Sequence, residues 1–94
     1  MSVTVKFMGA LRHLSGQKQL TLPYMVDCSI KDYLLKISQD MPQVKSSLLD
    51  ANVEDPKPNA LMLINGKEIS VLKGLATKIQ PNDEIILIPV VHGG

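Results

Sequence analysis

One long stretch of this chain carries the period of an amphipathic helix. Ile30, Tyr33, Leu34 and Ile37 recur at helical spacing, with Lys31, Lys36, Ser38 and Gln39 expected to face outward. Ser29 precedes this stretch as an N-cap, and Asp32 three residues later makes a weaker form of the capping box. Pro42 ends or kinks the helix. The segments around it follow period two. Val3, Val5 and Phe7 alternate with Thr4, Lys6 and Met8, and Gln19–Leu22 alternates again until Pro23 breaks it. Ala60–Ile64, Lys67–Val71 and Glu84–Pro89 complete the strands. Ninety-four residues support one core. The pattern therefore predicts an α+β fold, a mixed sheet packed on one main helix.

The connectors agree with this order. Gly9–Gly16 is a link with one helical turn around Leu11-Arg12-His13-Leu14. Gln43–Asp50 reads as a second short helix with Val44, Leu48 and Leu49 as its contacts, and Asn52–Asn59 as a loop with two prolines. Asn65-Gly66 is a two-residue hairpin turn that needs positive φ at both positions. Pro81-Asn82-Asp83 is a turn. The last strand is unusual because Ile85, Ile86, Leu87 and Ile88 are apolar on both faces. A sheet covered by a helix on one side should be polar on the other. Either this strand is central and covered, or Ile86 and Ile88 form a partner-binding patch while Ile85 and Leu87 face the helix.

Composition excludes several functions. The net charge is +1, and the lysines are scattered rather than striped. That is no nucleic-acid footprint, and only Phe7, Tyr24 and Tyr33 are aromatic, so the core is aliphatic. Cys28 is the single cysteine, which rules out an internal disulfide and suits a reducing cytoplasm. The first residues lack the pattern of a signal peptide, and no apolar run approaches a bilayer span of roughly 20 residues, so a membrane role is not expected. Cys28 stands just before the helix start, where a thiol can be activated, but a structural cysteine is the simpler reading. His13 and His92 have no metal-ligand spacing with it, so no metal site is expected. Asp50–Asp55 lacks the glycine and distal glutamate of a calcium loop.

The segment 90–94, Val90-Val91-His92-Gly93-Gly94, follows the last strand. Two glycines without side chains suit a flexible arm that enters a narrow channel. The expected division is a domain over 1–89 and a tail over 90–94. Nearly the whole sequence resembles the ubiquitin-like sulfur carriers, whose fold is the β-grasp. The likeness lies in Val5-Lys6-Phe7-Met8-Gly9-Ala10-Leu11-Arg12 with Gly16, Ser29-Ile30-Lys31-Asp32-Tyr33-Leu34, Leu63-Ile64-Asn65-Gly66, and Pro81-Asn82-Asp83-Glu84 through Ile88-Pro89-Val90 to Gly93-Gly94. The final motif is the most diagnostic. Pro89-Val90 stands where members serving molybdenum-cofactor assembly often carry two prolines, and His92-Gly93-Gly94 is also typical of ubiquitin-related modifiers.

The resemblance implies a carrier rather than an enzyme. An E1-like adenylating partner, which owns the ATP and magnesium, would activate the carboxylate of Gly94. A sulfur donor would convert the acyl-adenylate to a thiocarboxylate, and no cofactor would be bound by the carrier itself. The tail residues Val90, Val91, His92 and Gly93 would enter the partner's channel. The first expectation is the small subunit of molybdopterin synthase, paired with the large subunit. The alternatives are a ubiquitin-related modifier for tRNA thiolation or lysine conjugation, and a non-covalent ubiquitin-like interaction module. No nucleophile–base pair or metal cluster suggests an active site of the chain's own.

Overall fold

The computed structural model describes residues 1–50 and 57–90. In chain order the elements are β1 (Ser2–Phe7), α1 (Ala10–Ser15), β2 (Gln19–Pro23), α2 (Ile30–Asp40), α3 (Lys45–Leu48), β3 (Leu49–Asp50), β4 (Lys57–Pro58), β5 (Ala60–Ile64), β6 (Lys67–Glu68) and β7 (Glu84–Pro89). Short 3₁₀ turns cover Pro42–Val44, Ile69–Val71 and Gly74–Ala76. The main sheet has the order β2-β1-β7-β5-β6. Its central pair, β1 with β7, is parallel, and its other pairs are antiparallel. This is the mixed sheet that the sequence predicts.

Register explains which side chains enter the core. Val5 lies beside Ile85 and Phe7 beside Leu87 on one side of β7, while Met62 pairs with Leu87 and Ile64 with Ile85 on the other. All six are buried, and they face Ile30, Tyr33, Leu34 and Ile37 of α2 in one cluster. The helix starts as expected. Ser29 Oγ accepts from Asp32 N–H, and Asp32 accepts from Ser29 N–H at 2.9 Å, so two orphan donors are satisfied. Asn65 (φ 50) and Gly66 (φ 84) take the positive angles that the hairpin requires.

Five details depart from the sequence reading. Ser38 is buried, because Pro42–Val44 and α3 pack against α2 on that side. The second short helix stops at Leu48, where the chain extends into β3. The expected loop ends in β4, which pairs Leu49 with Pro58 and Asp50 with Lys57. Asn59 secures this ribbon by donating from N–H to Leu48 O and from Nδ2 to Ser46 O, both at 2.9 Å. Finally, β6 is two residues long. Glu68 accepts from Ser70 N–H and turns the chain into a 3₁₀ turn, so the predicted strand to Val71 is cut short. Pro23 does not break β2 but closes it, opposite Ser2.

Candidate functional site

The site is built on the end and the outer face of β7. Inward residues Ile85 and Leu87 are fully buried, and Ile86 and Ile88 point to the opposite face, half-buried. This is the division that alternation predicts. β7 is central, and among the described residues the helices pack on its inner face. Ile86 lies between Lys6 of β1 and Leu63 of β5, and Ile88 lies beside Leu61 of β5. Leu61 is 39% exposed. The outward set is therefore four aliphatic side chains, Leu61, Leu63, Ile86 and Ile88, bordered by the Lys6–Glu84 ion pair at 3.1 Å. The four are contiguous and partly exposed, with charge at their border, unlike apolar residues scattered singly over a surface.

Leu61 and Leu63 were not anticipated. The signal was present: Ala60–Ile64 is an unbroken apolar run like Ile85–Ile88, so its outward positions are apolar as well.

The strand releases the chain at Pro89, and Val90 beyond it is 48% exposed. A cavity of about 310 Å³ opens beside this point, lined by Ser46, Ser47, Asn59, Pro89 and Val90. The other predicted tail residues, Val91, His92, Gly93 and Gly94, lie outside the described residues. Among the other candidates, Cys28 is half-buried and packs against the core, and His13 is exposed on α1. Among the described residues, no group of three or more His, Cys, Asp or Glu could hold a metal ion, and no helix is long and apolar enough to cross a membrane.

Comparison with known proteins identifies this architecture. The family model Urm1 (Ubiquitin related modifier) matches residues 2–94, which takes in every element described above and the Gly-Gly segment. The chain belongs to the ubiquitin-related modifier family. Small archaeal modifier protein 3 of Haloferax volcanii is 27% identical over 94 residues, covering 100% of both chains. The solution structure of small archaeal modifier protein 1 from Methanosarcina acetivorans superposes with a TM-score of 0.84 at 31% identity, covering 99% of this chain and 96% of that one. A putative molybdopterin converting factor subunit 1 from Pyrococcus furiosus gives a TM-score of 0.76 over 97% of this chain and 99% of that one. Its 17% identity makes that likeness one of fold alone. The family's β-grasp fold is thus the fold of this chain, and its relatives are ubiquitin-like carriers and modifiers.

Proposed function

We propose that this chain is a cytoplasmic ubiquitin-like carrier that reacts at the carboxylate of Gly94 and has no catalytic site of its own. The observation that carries the reading is the family match through residue 94, on a fold whose last strand runs through the centre of the sheet and releases the chain at Pro89. A carboxylate is a poor acyl donor until an oxygen is made a leaving group. In the proposed cycle a Gly94 oxygen attacks the α-phosphorus of ATP on an E1-like enzyme, and pyrophosphate leaves. The terminal sulfur of a persulfide then attacks the acyl carbon and AMP leaves. A thiol cleaves the resulting acyl disulfide, becoming oxidised to a disulfide itself, and the thiocarboxylate is freed. ATP and magnesium stay with the activating enzyme. Leu61, Leu63, Ile86 and Ile88 supply the desolvated anchor for that partner, and Val90 to Gly93 lead the reactive end into its channel.

Two destinations share this chemistry. The family match and the His92-Gly93-Gly94 ending support a ubiquitin-related modifier, which passes sulfur to tRNA or forms an amide with a lysine. The molybdopterin synthase small subunit is the second reading, with which the shared fold of the Pyrococcus protein is compatible. The deciding experiment co-expresses the chain with an activating enzyme and a sulfur source and measures intact mass. One oxygen exchanged for sulfur at the C-terminus is the expected product. If neither an adenylate nor a thiocarboxylate forms, the carrier reading is wrong. Lysine conjugates that vanish without Gly93 and Gly94 select the modifier, and stable capture of a synthase large subunit selects cofactor assembly.

A further inference from the structure

The corner where β7 ends is more closely specified than a simple strand exit requires. On its β1 side the parallel ladder runs as far as Met8, whose N–H donates to Leu87 O at 3.0 Å. The next ladder position would take an N–H from residue 89 to the Met8 carbonyl. Residue 89 is a proline and has none. The Met8 carbonyl instead accepts from Leu11 N–H at 3.1 Å, in the first turn of α1. Gly9, between them, has φ +53, and a Cβ placed there would stand 3.1 Å from Pro89 Cγ. The angle favours glycine at this position, and the space beside the proline ring is tight for any side chain. Arg12 holds the corner shut. Its backbone N–H donates to Gly9 O at 3.0 Å, and its Nε donates to Phe7 O at 3.1 Å.

We infer that Gly9 and Pro89 are positioning residues: together they fix where and in which direction the chain leaves the sheet at Val90, and so the starting point from which a reacting Gly94 reaches its partner's site. The inference rests on the reading of Gly94 as the reacting group. Fully extended, the segment spans at most on the order of 17 Å from Pro89. Were the ladder to extend by a residue, that reach would shorten and its direction would turn. Pro89 prevents the extension chemically, and Gly9 allows α1 to close the corner against the proline ring.

The test measures pyrophosphate release by the activating enzyme at saturating ATP with Pro89→Ala, Gly9→Ala, the double variant and Ile86→Ser. Pro89→Ala restores an N–H that competes for Met8 O, so faster hydrogen exchange at the Leu11 amide reports opening of the corner directly. The expected result is a kcat reduced about ten- to a hundredfold, with the KM for the carrier within about twofold of wild type, because misplacement costs turnover while the body still docks. Ile86→Ser should do the reverse, raising KM. Gly9→Ala combined with Pro89→Ala should cost less than the sum of the two, since loss of the proline ring relieves the steric part of the Gly9 change. Should Gly9→Ala fail to fold, Pro89→Ala, which introduces no clash, carries the test. A kcat retained in Pro89→Ala, or a loss confined to KM, overturns the inference. Absence of turnover with wild type overturns the reading beneath it, and is told apart because every variant is then silent too.

Discussion

Asn65 shows how a single side chain joins two parts of the chain. Its Nδ2 donates to Asp83 Oδ1 at 2.7 Å and its Oδ1 accepts from Glu84 N–H at 2.9 Å, while its backbone takes the positive φ of the hairpin. Asp83 is buried and also accepts from Gln80 N–H at 2.8 Å. The β5–β6 turn and the turn entering β7 are thereby one unit. Asn65→Ala should cost about 1–3 kcal/mol in a urea denaturation, because it strands a buried carboxylate oxygen and the Glu84 N–H. Tyr33 makes a different link. Its hydroxyl accepts from Met25 N–H at 2.7 Å. Burial pushes its phenol above the ordinary value of 10.0, the Met25 hydrogen bond opposes this, and Cys28, Tyr24 and Asp83 add smaller upward effects. The folded chain therefore holds this proton more tightly than the unfolded chain. Stability from this group is complete below pH 10.0 and falls as pH rises toward the raised value. Tyr33→Phe should remove this group's share of the alkaline slope, measured as the dependence of the denaturation midpoint on pH above 10.0.

At the scale of elements, β7 divides its work between two faces. Ile85→Ala should cost about 2–5 kcal/mol, the range for a large aliphatic lost from a packed core. Ile86→Ala buries less apolar area to begin with and should cost under about 1.5 kcal/mol, while weakening the partner contact. Denaturant titration of both variants, with binding measured alongside, separates the faces. This alternation was fully legible in the sequence, as was α2, where the capping box and the apolar stripe agree. What was not legible has physical causes. The β3–β4 ribbon pairs two residues with two, too few to show a period, and it is held by Asn59, a residue that composition assigns to loops. Ser38 looks like a surface residue by type, but the turn at Pro42 folds α3 back over it. Its burial is a tertiary fact that helical spacing does not encode. The Gly9–Pro89 corner was equally hidden, since a proline at a strand end and a glycine in a connector are ordinary until the fold brings them to contact distance.

For the molecule as a whole, the proposed division is between a body that is recognised and an end that reacts. Deleting Gly93 and Gly94 should abolish adenylation completely while leaving the thermal midpoint unchanged, since Leu87 is the last core residue among the described residues. Calorimetry and pyrophosphate release on the same preparation check both halves. The placement of β7 between β1 and β5 has one more consequence. A ribosome makes β7 after every other strand, yet it fills the middle of the sheet. Until it emerges, β1 and β5 each present a raw edge and the sheet is split in two. A chain made only as far as β6 lacks the strand that joins these two halves. A copy that completes the sheet has therefore been translated through β7.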